Sequence, residues 1–293
     1  MAEDTTGIGD TPRASDSTPS HVGGPNVVVA GNVASMSAPV LQRRRRLAYE
    51  LGWLLGLFAI YNLGRLLAAH NVSSAFDNAA SVWSVERLLR LPNEGLLQGW
   101  LLDVWPSGVE LANRYYAFAH FPVTIGFLLW MMWFRPGYYT WVRRALVMVT
   151  GAALVGHLLY PLAPPRMIPK LGMIDTGQLF GLSVYSGSPH TGIANQFAAM
   201  PSLHVAWAVL VAVGIIASAR TRWRWLWLLH PAVTLLVVVV TANHYWLDAA
   251  IGIALLAGAL WLARGALPSP HPDRSEPART VGVTNCGRVG SKQ

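Results

Sequence analysis

Charge is what this chain has least of. Aspartate, glutamate, lysine and arginine make up 12% of its 293 residues, about half the roughly 25% of an average soluble domain. With 53% hydrophobic residues, the composition excludes an ordinary soluble globule and points to an integral membrane protein. A single cysteine, Cys286, excludes an intrachain disulfide and a metal site built from several thiolates. Lysine is confined to Lys170 and Lys292, so arginine carries almost all of the basic charge. The net charge of +8 does not imply nucleic acid as a partner. Its residues cluster at the ends of apolar runs, where they orient a membrane protein. Acid is scarcer still: Asp248 is the only carboxylate between Asp175 and Asp273. An acid within a bilayer-facing run costs about 2.5–3.5 kcal/mol on insertion scales and is a functional suspect by default.

What is present is a series of six apolar runs, at about 47–68, 115–134, 145–162, 200–219, 225–242 and 246–264. Each has roughly the 20 residues needed to cross the hydrocarbon core. Backbone groups in lipid must be satisfied internally, so these runs are expected to be helices. The expected fold is therefore all-α, a polytopic six-transmembrane-helix bundle. Residues 1–42 and 266–293, rich in small polar residues, Pro and Gly, read as disordered tails, and 43–265 as one membrane domain. With six crossings, Arg43 to Arg46, Arg135, Arg143, Arg144, Arg220, Arg222, Arg224 and Arg264 all fall on one side. That side is expected to be the cytoplasm, with both termini on it. The 163–199 loop then lies outside. The preference for Arg over Lys fits a GC-rich genome, and a bacterial plasma membrane is the expected location. Residues 70–114 carry too many charges to span. We expect one or two amphipathic helices there, lying in the outer interface with Trp83, Trp100 and Trp105 as anchors.

Three groups of residues on the outer side carry chemistry. In Met200-Pro201-Ser202-Leu203-His204, Pro201 suits the first helical position. The amides of Ser202 and Leu203 would then be open helix-start donors, suited to phosphate. His204 reaches the same place, although alone it reads more readily as a buried or interfacial histidine capping a helix. His244 and Asp248 stand four residues apart, which on a helix puts imidazole and carboxylate on one face. The carboxylate would fix the ring tautomer and leave the second nitrogen free to attack. A structural ion pair is the plainer alternative. Pro164-Pro165-Arg166 presents a guanidinium on a stiffened chain, able to grip phosphate oxygens in bidentate fashion or merely to meet lipid headgroups. Together they fit phosphoryl transfer, with a nucleophile, an acid for the leaving group and cations for the equatorial oxygens.

These residues resemble the type 2 phosphatidic acid phosphatase superfamily, whose core is a six-helix membrane bundle. Its second motif, Pro-Ser-Gly-His, is matched by Pro201-Ser202-Leu203-His204 with Leu in place of Gly. The end of its third motif, a His with an Asp four residues on, is matched by His244 and Asp248. The family's Arg six residues before that His is here Val238. The Lys seven before Arg166 is Leu159, and Met167 stands where Arg-Pro would continue. With Ala163 to Arg166 and Met200 to Trp207, these variations look more like the branch containing inositol phosphorylceramide synthases. The resemblance implies His244 as the nucleophile that forms a phosphohistidine, Asp248 as its orienting group and His204 as the proton donor. It implies Arg166 and the Ser202 region as the phosphate clamp. Lys170 is a weaker second cation. Arg65 is a candidate to line the same cleft, although snorkelling to the interface is its plainer reading, and Asn113, Tyr116 and His120 either line that cleft or anchor at the interface.

The expected function is phosphoryl transfer on a lipid phosphate without a cofactor, either as a phosphatase or as an inositol-phosphate headgroup transferase. Lipids are the expected partners. A metal-dependent hydrolase using His204, His244 and Asp248 as ligands is one alternative. A transporter or scaffold without chemistry is another.

Overall fold

In the computed structural model, the described residues are 72–181 and 197–268, with scattered positions between 45 and 59. Most of the first apolar run, Arg65, residues 1–42 and nearly all of 266–293 lie outside them. The chain divides into two units, Met1–Trp53 and Leu54–Gln293, and the second contains everything described below.

Eight α-helices of eight or more residues follow one another among the described residues. They are α1 (Val72–Leu88), α2 (Glu94–Val104), α3 (Pro106–Phe118), α4 (His120–Phe134), α5 (Pro136–Leu159), α6 (Leu203–Ser218), α7 (Leu229–Val240) and α8 (Trp246–Leu262). Among these residues there is no named strand, only an isolated bridge between Leu162 and Ala198. The all-helical expectation is met. Three helical segments are long and apolar enough to cross a bilayer: Pro136–Leu159, Arg222–Val240 and Trp246–Ala266. They coincide with the third, fifth and sixth runs. The second run corresponds to α3 and α4, which pass the same test as a pair bent by 49°. The bend has a local cause in Pro122, which cannot donate a backbone hydrogen bond at the start of α4. The fourth run is α6, apolar but only 16 residues long.

The helices close around an apolar core in which α8 packs on α5 and α6, and α7 on α6. Phe127, Met131, Val142, Leu146, Val149, Leu210, Val211 and Leu256 meet there. Large side chains such as Phe134, Leu159, Trp223, Leu229 and Trp261 remain exposed, as lipid-facing positions are. A second cluster joins α1 to the connecting segments, with Ala75, Ala79, Val82, Leu162, Phe197 and Tyr245 in contact.

The segment expected to lie in the interface is more deeply engaged. It forms three helices rather than one or two, and α2 and α3 pack against α7. Trp100 and Trp105 are exposed, as anchors would be, but Glu86, Glu94, Gln98 and Asn113 are buried. Gln98 Nε2 donates to the carbonyls of Val240 and Ile174, and its Oε1 accepts from the Ile174 amide. The acidic residues that argued against a membrane span are thus in part buried.

Candidate active site

His244 leaves α7 through a tight helix end. The amide of Ala242 donates to the Val239 carbonyl, and the amide of Asn243 to the Val238 carbonyl. This is a Schellman closure. It places Ala242 in the left-handed region at φ 52°, where a Cβ is normally unwelcome. His244 is then 5% exposed. Its Nδ1 lies 2.9 Å from the Ala199 carbonyl and 3.2 Å from Asp248 Oδ2. A carbonyl only accepts, so the proton sits on Nδ1 and Nε2 is the basic, nucleophilic nitrogen. Burial pushes the imidazole down to about 3. The Ala199 carbonyl works against that shift, and the Arg166 charge adds to it.

Asp248 is buried in the first turn of α8 and serves two partners with one oxygen. Oδ2 also accepts from the Tyr245 amide at 3.1 Å, so the carboxylate that holds the histidine also caps the helix that carries it. The backbone carbonyl of Asp248 accepts from the Ser202 amide at 3.0 Å. This ties the start of α6 to the start of α8.

The segment before α6 departs from the sequence reading. Pro201 is not the first helical residue. The Met200–Pro201 peptide is cis, α6 begins at Leu203, and Ser202 is its N-cap, accepting from the Val205 amide. The Ser202 amide is therefore taken by Asp248 and is not an open helix-start donor. Two close approaches seat this segment. A Cβ on Gly156 would meet Pro201 Cδ at 2.9 Å, and a Cβ on Gly252 would meet the Ser202 carbonyl oxygen at 2.5 Å. The His157 ring, buried in the last turn of α5, lies with Nε2 3.1 Å from the Pro201 carbonyl.

His204 completes a column of rings. Tyr116 stacks on it at 4.5 Å between centroids, and His120 lies 4.5 Å from the same ring. His120 in turn stacks on Trp207 at 5.3 Å. The ring of His204 is 5.7 Å from that of His244, close enough for both imidazoles to flank one phosphorus centre. Tyr116 and His120, candidates from sequence, thus join the site through His204. Asn113 is buried, and its Nδ2 donates to the Val109 carbonyl and to Thr176.

Arg166 occupies a 3₁₀ turn, Pro165–Met167. Its amide donates to the Ala242 carbonyl at 3.1 Å, two residues before His244. Its guanidinium donates through Nη1 to Asn243 Oδ1, and Nε lies 3.6 Å from Asp175. The side chain is 4% exposed, so it is a placed charge rather than a headgroup contact. Lys170, four residues on, is exposed. Asn243, Asp175 and the Ala199 carbonyl escaped the sequence reading. Only Asn243, beside His244 in a polar break between apolar runs, gave any signal. Among the described residues, no three His, Cys, Asp or Glu side chains are grouped to hold a metal ion.

The described residues thus form an all-helical bundle with apolar helices, in which two imidazoles lie near a buried arginine. A family model described as the PAP2 superfamily matches residues 80–262, well over half the chain, and the protein belongs to that superfamily. Membership points to phosphatase-type chemistry on lipid phosphates. No curated protein and no solved structure matches the chain.

Proposed function

We propose that this protein is a six-span membrane enzyme that moves a phosphoryl group from a lipid phosphate through a phosphohistidine on His244. The observation that carries the reading is the double anchorage of His244 Nδ1 on Ala199 and Asp248, with His204 5.7 Å away. His244 Nε2 attacks phosphorus, and Asp248 stabilises the ring as it gains positive charge. His204 gives a proton to the departing lipid oxygen, and later takes one from the acceptor hydroxyl. Arg166 stabilises the equatorial oxygens. The Ser202 hydroxyl and the first turn of α6 complete the clamp, without the Ser202 amide.

A mostly apolar recess of about 280 Å³ is lined by Ser81, Val82, Val85, Tyr160, Met200, Leu247 and Ile251, the last two on α8 with Asp248. It suits the hydrocarbon part of a lipid. The arginine distribution along the sequence favours a site on the extracytoplasmic side of a bacterial plasma membrane, with both termini inside. Residues 1–42 and 266–293 are then tails on either side of one membrane domain.

Water as acceptor makes the enzyme a phosphatase. A lipid or polyol hydroxyl makes it a transferase, and the likeness of Ala163 to Arg166 and Met200 to Trp207 to inositol phosphorylceramide synthases favours an inositol-phosphate headgroup. Purified protein incubated with radiolabelled lipid phosphates, with and without inositol lipids, separates the two by free phosphate or a new phospholipid. Acid-labile label on the wild-type chain, absent from His244→Ala, is expected. Full turnover by His244→Ala would discard the mechanism, and loss of activity with a chelator would favour a metal-dependent hydrolase instead.

A further inference from the structure

The first turn of α8, which carries Asp248, is held from below by a residue far away in sequence. Glu86, in the last turn of α1, is fully buried. Its Oε1 accepts from the Leu247 amide at 2.7 Å. Leu247 is the second residue of α8, and its amide is one of the helix-start donors with no partner inside the helix. The neighbouring residue is fixed from the same corner, where the Trp246 indole donates to the Pro92 carbonyl at 3.0 Å. Glu86 is itself held in place. Glu94 is fully buried as well and pairs with Arg87 at 3.0 Å. Arg87 also donates to the Pro92 carbonyl and stacks over Trp83. Burial, and then the hydrogen bond with Glu94, pushes the Glu86 carboxyl up to about 9. Glu86 therefore meets α8 as a neutral acceptor.

The geometry points to Glu86 as a positioning residue for the His244–Asp248 pair, acting through the Leu247 amide to fix the turn on which Asp248 stands. This rests on the reading of His244 as the nucleophile. Glu86 touches no reacting atom. Its contact fixes the azimuth of the first turn of α8, and with it the direction from which Asp248 Oδ2 meets both Nδ1 of His244 and the Tyr245 amide. Releasing that turn misplaces the imidazole by a fraction of an ångström to an ångström, and a 1 Å misplacement can lower a rate by about 100-fold.

The test compares the full-length wild type, Glu86→Gln, Glu86→Ala and His244→Ala in detergent, on one radiolabelled lipid phosphate that the wild type turns over. Glu86→Gln keeps a neutral acceptor of the same shape and is expected to stay within about twofold of wild type in kcat. Glu86→Ala is expected to lose about 10- to 100-fold in kcat at unchanged KM, and to form the covalent phosphoenzyme correspondingly slowly. If Glu86→Ala cannot be recovered folded, Glu86→Met replaces it, since the thioether fills the space with only a weak acceptor. Wild-type kcat in the Ala or Met variant overturns the inference. So does a loss in Glu86→Gln as deep as in the Ala variant, or a fall confined to the amount of folded protein. A wild type inert on every lipid phosphate, or an active His244→Ala, overturns the parent reading instead.

Discussion

Gly252→Ala is the substitution that most directly tests whether the start of α6 must lie against α8. A Cβ at 252 would stand 2.5 Å from the Ser202 carbonyl oxygen, 3.3 Å from its carbon and 3.4 Å from its nitrogen. The obstacle is backbone, so no side chain can swing away. Ordinary contact begins near 3.4 Å, and the two segments must part by 3.4 − 2.5, about 0.9 Å. Forced separation in a packed interior costs about 1–3 kcal/mol. Stretching the bond from the Ser202 amide to the Asp248 carbonyl adds about 0.5–1.5 kcal/mol. Helix propensity returns about 1 kcal/mol, because alanine replaces glycine in mid-helix. The net expectation is a loss of about 1–3 kcal/mol, several degrees in thermal unfolding. His204 moves away from His244 with its segment, and kcat falls by about 10- to 100-fold. Gly258→Ala, on the same helix with nothing within 4 Å of its Cβ, is the control and should be neutral or slightly stabilising. Unfolding by tryptophan fluorescence and turnover on the same preparation check both effects. A Gly252→Ala protein with wild-type melting and wild-type kcat would refute the close apposition on which the site depends.

Asp248→Asn should keep the fold, since an amide oxygen still accepts from Tyr245, yet lower kcat by roughly 10³-fold or more, because the ring loses its compensating charge; the check is single-turnover kinetics. Arg166→Lys should lower kcat/KM by at least about tenfold, because an ammonium cannot hold Asn243 and Asp175 while also facing phosphate; a rate equal to wild type would remove Arg166 from the clamp. The His244 value of about 3 lies below the ordinary 6.5, so between these limits the unfolded chain binds the extra proton. That part of the stability is complete above pH 6.5 and is lost as pH falls towards 3. Denaturation midpoints between pH 7 and 4 should fall more steeply for wild type than for His244→Phe, and equal slopes would deny the burial of the ring. Ala242→Gly relieves a left-handed residue and should raise stability by about 1 kcal/mol without loss of turnover, measured in the same denaturation series.

Most of what sequence could reveal here was periodic or chemically rare. Apolar runs gave the helices, and the scarcity of acid drew attention to Asp248. What stayed hidden is contact made by backbone. The Ala199 carbonyl that sets the His244 tautomer is invisible in an alanine. The Schellman end of α7 lacks its usual glycine, since Ala242 occupies the left-handed position. Pro201 looked like a helix starter because nothing local distinguishes that role from a cis turn ahead of a serine cap. Glu86 and Glu94 count in the sequence only among the charges that keep 70–114 from spanning, because nothing local marks a carboxylate of an amphipathic helix as buried. Their burial depends on Arg87 and on an amide 161 positions away, and no local pattern encodes a partner at that distance.

The order of synthesis gives the capping role of Asp248 a biological consequence. α8 is the last described helix to leave the ribosome, and its first turn supplies the carboxylate, the amide awaited by Glu86 and the carbonyl awaited by Ser202. A nascent chain arrested before that turn carries His204 and Arg166 but no competent nucleophile, and leaves acceptors on α1 unmatched. On the proposed mechanism, catalytic competence thus arrives with the first turn of α8.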